Sequence, residues 1–408
     1  MPRLEWRAEV RQDYPEIWTE EAVSAVEALA PWNRERLSLM AERIRRRAMR
    51  AADRRPIDFL DPESVIPGTG LRVQDARDGK FTGPEIPPDL VRQWIQGTGP
   101  ATRPQASERN EGAASGLRNV AYALLSGADG WMFDGEDALG QVATMALDNQ
   151  RNLKLAIAAD PRFLEVAGQV AGEMNAWARR FFGREIIADW RAQLEFTTKI
   201  FRARGLHLDD RHLREADGTG FSASIVDVVL YVVNNQRRLR AAGSSVVLYL
   251  PKIQTAGEAA LWNRLLLALE AHLGLPPGTI LVYVLVEQLE AAFQLMEIRA
   301  ALGVHFVGFN TGRWDYINSV SDALAWDPEF VNPNIDAITM TYGYMRHYED
   351  RVRRAVNTPD LAGRMALWQG GMEPNIPVGS PAGVAAGMRR AVAGAEREQR
   401  EGASGKWV

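Results

Sequence analysis

From residue 91 onward the chain alternates between short apolar runs and longer stretches that carry apolar residues at helical spacing. Turn residues bound each apolar run, which is typical of buried strands. The runs are VRQWIQG (91–97), GWMFDGE (130–136), TTKIFRARG (197–205), SVVLYLPKI (245–253), TILVYVLVE (279–287), VHFVGFNTG (304–312), AITMTYGY (337–344) and RMALWQGGM (364–372). Stretches such as EAALWNRLLLALEAHLG lie between them and predict helices.

Eight strands that alternate with helices predict an α/β protein with a parallel sheet covered by helices. Eight is also the number of strands that closes a (β/α)8 TIM barrel, and this is the fold class that we predict. A Rossmann-type sheet is the competing interpretation. We favour the barrel because no glycine-rich dinucleotide-binding fingerprint follows an early strand.

The pattern also predicts how the chain is divided. Residues 1–88 form an N-terminal module of helices and loops, and residues 89–395 form the TIM barrel. A helical insertion at about 138–195 interrupts the barrel between its second and third strands. The sequence ends in AEREQREGASGKWV, which predicts a helix running into an unfinished C-terminal linker at residues 396–408.

Composition narrows the function classes. The chain has 408 residues with 48 Lys and Arg against 52 Asp and Glu, a net charge of −4 that offers no bulk attraction to nucleic acid or an anionic membrane. We interpret the basic run RIRRRAMRAADRR as a solvated helix face. The N-terminus does not resemble a signal peptide, and no uncharged apolar run is long enough to span a membrane. We therefore expect a cytoplasmic protein.

The absence of cysteine from the sequence limits its chemistry. Thiolate nucleophiles and thiolate metal sites are excluded, so any metal must bind oxygen or imidazole ligands. In a βα barrel the catalytic groups lie at the carboxyl ends of the strands. These ends carry the following candidates: Asp134, Glu136, Asp137, Arg202, Arg204, Lys252, Glu287, Asn310, Arg313, Asp315 and Gln369.

Glu287 and Asp315 follow two neighbouring predicted strands. Glu287 closes the apolar run ILVYVLV, so it should lie at the mouth of the barrel. Two carboxylates on adjacent strand ends can share one hard cation, and Mg²⁺ takes one or two carboxylates together with water and substrate oxygens. The alternative is that Glu287 pairs with a basic group and that Asp315 caps the next helix.

Arg202 and Arg204 are two residues apart and would share one face of an ideal strand. At a strand end they could clamp an anionic substrate, because the guanidinium fork fits a carboxylate. The alternative is an ion pair with Asp134, Glu136 or Asp137, and this explains the same residues.

Five segments in order carry a family resemblance: GWMFDGED, RARGLHLDDRH, SVVLYLPKIQTAGEAALWN, GTILVYVLVEQLEAAFQLMEI and GFNTGRWDYINS. The last of these resembles N-x-G-R-W-D-Y-I, a signature of the A-type branch of the malate synthase family. The likeness runs from about residue 56 to the end of the sequence.

The resemblance implies a Mg²⁺-dependent Claisen condensation. Acetyl-CoA loses a methyl proton, the enolate attacks glyoxylate, and the malyl-CoA that results is hydrolysed. The partners implied are these small molecules, and the cofactor implied is Mg²⁺ with acetyl-CoA as co-substrate. The oligomeric state stays undetermined.

The resemblance also implies roles for the strand-end residues. Glu287 and Asp315 would bind Mg²⁺, and Arg202 would stabilise the enolate. Arg204 and the segment Gly312, Arg313 and Trp314 would contact the substrate. Four further residues would orient these groups without contacting the substrate themselves: Asp134, Glu136, Asp137 and Lys252.

Two departures from the family pattern keep other functions open. The family's general base is an aspartate on a C-terminal helical domain, and no residue of this sequence matches it. The segments MTYGY (340–344) and GGMEPNIP (370–377) also differ from the family's M-T-K-P-F and G-G-M-A-A-x-I-P. The alternatives are a lyase that cleaves malyl-CoA-like or citryl-CoA-like esters, or an inactive barrel that binds CoA or a metabolite.

Overall fold

A computed structural model describes residues 3–7, 9–91, 94–97, 111–137, 145–373 and 379–407. The strands are β1 Leu4–Trp6, β2 Trp94–Gly97, β3 Gly130–Asp134, β4 Thr198–Arg202, β5 Asp209–Glu215, β6 Gly220–Ser222, β7 Val246–Leu250, β8 Ile280–Val286, β9 Phe306–Thr311, β10 Leu367–Met372 and β11 Gly405–Trp407.

The α-helices are α1 Val10–Asp13, α2 Glu20–Leu29, α3 Asn33–Asp53, α4 Val73–Arg77, α5 Glu111–Leu124, α6 Met145–Ile157, α7 Pro161–Phe182, α8 Trp190–Phe196, α9 Ala223–Ala241, α10 Ala256–His272, α11 Leu295–Leu302, α12 Arg313–Ala323, α13 Gly343–Asn357 and α14 Pro381–Glu401. Among the helices of the described residues, none combines the length and the apolar composition that crossing a membrane requires.

The chain forms two compact units. The first comprises Met1–Pro31, Pro87–Tyr249 and Ala271–Leu275, and the second comprises Trp32–Ile86, Leu250–Glu270 and Pro276–Val408. The division differs from the predicted boundaries at residues 88 and 395, which stay predictions.

The first unit is built on the parallel strands β2, β3, β4 and β7. Every residue of β3, β4 and β7 is buried, as expected for parallel strands that are covered on both faces. The register places Asp134 of β3 opposite Arg202 of β4. The two polar residues at these strand ends are therefore neighbours.

Helices α6, α7 and α8 lie in the described part of the predicted insertion. The start of α7 follows from its sequence, because the Asp160 side chain accepts the Arg162 N–H and Pro161 fits the first helical position. The first unit also contains a three-stranded antiparallel sheet in the order β1-β5-β6, which the sequence pattern did not predict.

The second unit is built on the parallel strands β8, β9, β10 and β11. The seven residues of β8 are all buried. The predicted strand at 337–344 is wrong. Alternate burial is present at Ile338 and Met340, but the Ile338 N–H bonds to Ile335 and the Tyr342 N–H to Thr339, so local turns take the donors that a strand would offer to a neighbour.

The final strand lies instead near the C-terminus of the sequence. β11 comprises three residues, and its Gly405 pairs with Gln369 of β10. Ordered secondary structure therefore continues through α14 and β11 to residue 407, where the pattern predicted a linker. A run of three residues is too short for periodicity to reveal.

The basic run at residues 43–55 forms the second half of α3 and extends just beyond its end. Its arginines form ion pairs within the second unit: Arg43 with Glu258, Arg47 with Asp322 and Arg50 with Glu290. Arg47 is exposed, whereas Arg43 and Arg50 are largely covered. The run is thus only partly the solvated face that the sequence predicted.

Candidate active site

Arg202 lies at the end of β4 among three carboxylates of the first unit. Its Nη2 lies 2.6 Å from Oε2 of Glu136 and 2.8 Å from Oδ2 of Asp137, and its Nη1 lies 3.4 Å from Oδ2 of Asp134. Arg202, Asp134 and Glu136 are buried, whereas the Asp137 side chain is 53% exposed. The ion-pair alternative for Arg202 is therefore what the structure contains, and the guanidinium is held in one orientation.

The turn after β3 explains how the carboxylates reach Arg202. Gly135 donates its N–H to the carbonyl oxygen of Arg202, and a Cβ on Gly135 would lie 2.6 Å from that oxygen. Only glycine permits this approach. The Glu136 N–H then bonds to Oδ1 of Asp134 over 2.9 Å, which fixes the turn.

Arg204 belongs to a different network in the first unit. Its guanidinium bonds to both carboxylate oxygens of Asp227, and its Nη2 lies 2.8 Å from Oδ2 of Asp210. Burial opposes the charge, but attraction to Asp227 and Asp210 outweighs it and raises the pKa of Arg204 above its ordinary value. Because the donors bind these two buried carboxylates, the contacts support a structural role. Substrate binding by Arg204 stays a prediction.

Glu287, Lys252 and Asp315 meet in the second unit. The backbone N–H of Lys252 donates to Oε1 of Glu287 over 2.7 Å. The Lys252 ammonium lies 3.4 Å from Oε2 of Glu287 and 2.5 Å from Oδ2 of Asp315. The sequence alternative of a basic partner for Glu287 is thus present. The capping alternative for Asp315 is not, because the N-cap of α12 is Gly312 and Asp315 lies within the first turn of the helix.

Lys252 adopts an uncommon backbone conformation, with φ at 56°. Arg43 supports this turn by donating from Nη2 to the Lys252 carbonyl oxygen over 2.8 Å, and Arg43 is itself paired with the buried Glu258. Sequence reasoning missed both supporting residues. Glu258 could have been found, because it lies in GEAALWN, part of a segment that carries the family resemblance. Nothing local in the sequence links Arg43 to Lys252.

The two carboxylates have the geometry and chemistry of a site for one hard cation. An oxygen of Glu287 and an oxygen of Asp315 lie within 4.8 Å of one another. Glu287 is buried, and the Asp315 side chain is 39% exposed and accessible. The Lys252 ammonium contacts both, which shows that one cation can satisfy the pair. Oxygen donors of this kind fit Mg²⁺.

The segment Gly312 to Trp314 connects β9 to α12 beside Glu287. A Cβ on Gly312 would lie 2.9 Å from Cβ of Glu287, so glycine allows the two strand ends to approach. Arg313 is half-buried, and its guanidinium lies 4.5 Å from the ring centroid of Trp314. Burial lowers the pKa of Arg313, although the carboxylate of Glu373 opposes that shift.

The structure thus gathers the predicted site residues into two groups. In the first unit, the carboxylates of Asp134, Glu136 and Asp137 contact Arg202. In the second unit, Lys252, Gly312 and Asp315 adjoin Glu287. Among the predicted site residues, Arg204 lies in a separate ion-pair network within the first unit.

Comparison with known proteins identifies the relatives of this chain. The family model of the malate synthase TIM barrel domain matches residues 198–408, which confirms the predicted fold class. Malate synthase of Myxococcus xanthus is 32% identical over 398 residues, covering 97% of this chain and 64% of that protein. Malate synthase of Streptomyces clavuligerus is 33% identical over 401 residues, covering 98% and 65%. The chain therefore spans slightly less than two thirds of the length of these relatives.

A solved structure of Haloferax volcanii malate synthase in a magnesium and glyoxylate complex has a TM-score of 0.43 and 13% identity to this chain. The alignment covers 78% of this chain and 71% of that one.

Proposed function

This chain belongs to the malate synthase family, and we propose on that premise that it serves the Mg²⁺-dependent condensation of acetyl-CoA with glyoxylate to malate and CoA. The observation that carries the proposal is the carboxylate pair Glu287 and Asp315, which closes around one cationic group. The activity is an acyl transfer, and both substrates are small molecules. We propose a cytoplasmic location for it.

Glu287 and Asp315 would hold Mg²⁺ through carboxylate oxygens. When bound, the ion would supply a Lewis acid that polarises the aldehyde of glyoxylate. The Lys252 ammonium would move out from between the two carboxylates when the ion binds. The backbone N–H of Lys252 would still orient Glu287. The buried position of Glu287 strengthens these interactions, because water screens them poorly there.

The start of α12 would orient the glyoxylate carboxylate. The first N–H groups of a helix have no acceptor within the helix and carry a partial positive charge. Gly312 lies just before α12 and Arg313 begins it. Their backbone N–H groups would therefore donate hydrogen bonds to an anion bound beside Glu287. The Arg313 guanidinium would add a positive charge nearby.

Arg202 would stabilise the enolate of acetyl-CoA. The methyl C–H bond breaks, and the electron pair moves onto the thioester oxygen, where negative charge develops. A guanidinium already held by Asp134 and Glu136 needs little reorganisation to meet that charge. The enolate carbon then bonds to the aldehyde carbon, and water cleaves the thioester to release the CoA thiol. We assign no residue of this sequence as the base that accepts the methyl proton.

Two measurements on the 408-residue protein test the proposal. Isothermal titration calorimetry should detect glyoxylate binding that requires Mg²⁺. A thiol-reactive dye should report CoA release when acetyl-CoA, glyoxylate and Mg²⁺ are combined, and no release when glyoxylate is omitted.

The possible outcomes separate the functions. Glyoxylate binding with thiol release supports the full reaction. Glyoxylate binding without release would restrict the chain to the substrate-binding part of it. In a separate assay with malyl-CoA as the substrate, cleavage to glyoxylate without malate formation would favour the lyase. Absence of Mg²⁺-dependent glyoxylate binding would contradict the proposal.

A further inference from the structure

Two buried amide side chains of the second unit have polar atoms without a hydrogen-bond partner. Asn310 in β9 and Gln369 in β10 are both 0% exposed. Within the described part of the protein, Oδ1 of Asn310 and both Oε1 and Nε2 of Gln369 lack a partner. A buried amide left unsatisfied costs about 1–3 kcal/mol, so such groups require an explanation.

The two side chains are neighbours. Gln369 pairs in register with Asn310, and Nδ2 of Asn310 donates to the carbonyl oxygens of Gln369 and Gly370 at 3.2 Å. This contact fixes the Asn310 amide and leaves its Oδ1 free to accept.

The register also places this pair on the sheet face that carries Glu287. Asn310 pairs with Leu285 of β8, and Glu287 comes two residues after Leu285 on the same face. The step is about 7 Å along the strand. Trp368, next to Gln369, lines a cavity with residues of α13 and α14, so the Gln369 side chain points away from those helices. Asn310 and Gln369 therefore lie side by side on the same sheet face as Glu287, two residues earlier along the strand direction. We call these two side chains the polar floor.

The chemistry of the polar floor selects its ligand. The floor offers two acceptors, Oδ1 of Asn310 and Oε1 of Gln369, beside the donor Nε2 of Gln369. A carboxylate can use only the donor, and an ammonium can use only the acceptors. A hydroxyl group can donate and accept at once, so it matches the pair best. Leu285 pairs with Asn310 on the other side, and its apolar side chain offers no polar group that could compete for the ligand.

We propose that Asn310 and Gln369 determine specificity by binding a hydroxyl group on the third carbon of a 2-oxo acid whose first two carbons occupy the Glu287 and Asp315 site. This inference rests on the proposed function. The chain should then accept a hydroxylated three-carbon 2-oxo acid in preference to its methyl analogue, because the methyl group leaves the floor unsatisfied.

Calorimetry with Mg²⁺ and three acids tests the inference: glyoxylate, pyruvate and 3-hydroxypyruvate. Wild-type protein should bind 3-hydroxypyruvate about tenfold more tightly than pyruvate. Gln369→Met has similar volume and no amide, so the ratio of the two affinities should fall to about one. Gln74→Met, on α4, is the matched control and should keep the wild-type ratio.

Thermal unfolding first establishes that Gln369→Met is folded. Its Tm should equal or exceed that of wild type, since the change removes buried polar atoms without a partner. A wild-type ratio near one, or an unchanged ratio in Gln369→Met, would overturn the inference while glyoxylate binding preserves the proposed function. Failure of glyoxylate itself to bind would remove both.

Discussion

The backbone N–H of Lys252 and the carboxylate of Glu287 are joined by a 2.7 Å hydrogen bond, and the ammonium of the same lysine lies between Glu287 and Asp315. One residue thus orients a proposed metal ligand through its backbone and offsets one of the two negative charges of the ligand pair through its side chain. A bound cation must compete with that ammonium.

Lys252→Met should therefore tighten Mg²⁺ binding. The substitution keeps the backbone donor and most of the stem but removes the competing charge, so the Kd for Mg²⁺ should fall by about tenfold. Calorimetric titration with Mg²⁺ alone measures the effect. Lys80→Met, at an exposed lysine paired with Asp75 and Asp78, is the control. Weaker or unchanged Mg²⁺ binding in Lys252→Met would show that the ammonium does not occupy the cation position.

Glu287→Gln and Asp315→Asn should each weaken Mg²⁺-dependent glyoxylate binding by about tenfold or more, because an amide oxygen is a poorer ligand for a hard cation than a carboxylate. Gln at position 287 still accepts the Lys252 N–H, so the local fold should persist. The control is Asp322→Asn on the same helix, where the carboxylate pairs with exposed Arg47. Equal glyoxylate affinity in all three variants would disprove the ligand assignment.

Arg204→Met should destabilise the protein by about 3–5 kcal/mol, because it leaves the buried carboxylates of Asp210 and Asp227 without their cation. Urea denaturation measures the free energy of unfolding. Arg214→Met removes an exposed ion pair with Glu5 and should cost less than about 1 kcal/mol. Similar losses in the two variants would argue against the structural role of Arg204.

The buried carboxyl of Glu398 should make stability depend on pH. Burial raises its pKa above the ordinary 4.5, although Lys406 at 3.0 Å opposes the shift. The folded state therefore binds more protons than the unfolded state between the ordinary and the raised pKa. The stability from this group is complete below pH 4.5 and is lost as pH rises through the folded-state pKa.

Glu398→Gln removes that titration. The free energy of unfolding of wild type minus that of Glu398→Gln should decrease as pH rises from about 4.5. Urea denaturation of both proteins across this range provides the measurement. A difference that is constant or increases with pH would contradict the raised pKa.

Seven of the eight predicted strands are present, because each is an apolar run bounded by turn residues. The error at 337–344 shows the limit of this signal. Alternation reports that Ile338 and Met340 are buried, but local turns satisfy backbone donors there. The three-residue strand β11 is recognised through its pairing with β10.

The candidate site shows the same division. Glu287 and Asp315 were predictable because they follow strands, where parallel topology gathers functional groups. The contacts of Arg202 with Asp134, Glu136 and Asp137 were among the sequence alternatives. The pairing of Arg204 with Asp227 was not, since a residue 23 positions away leaves no periodic trace.

The sequence by itself determined seven strand positions, the family and the residue types at the strand ends, because burial and local backbone preference act over a few neighbouring residues. Only the tertiary structure decided that the Lys252 ammonium lies between Glu287 and Asp315, that Arg43 supports this turn across 209 positions, and that Asn310 and Gln369 are paired residues of neighbouring strands. Ion pairs and buried hydrogen bonds depend on distances in space, and chain folding sets those distances.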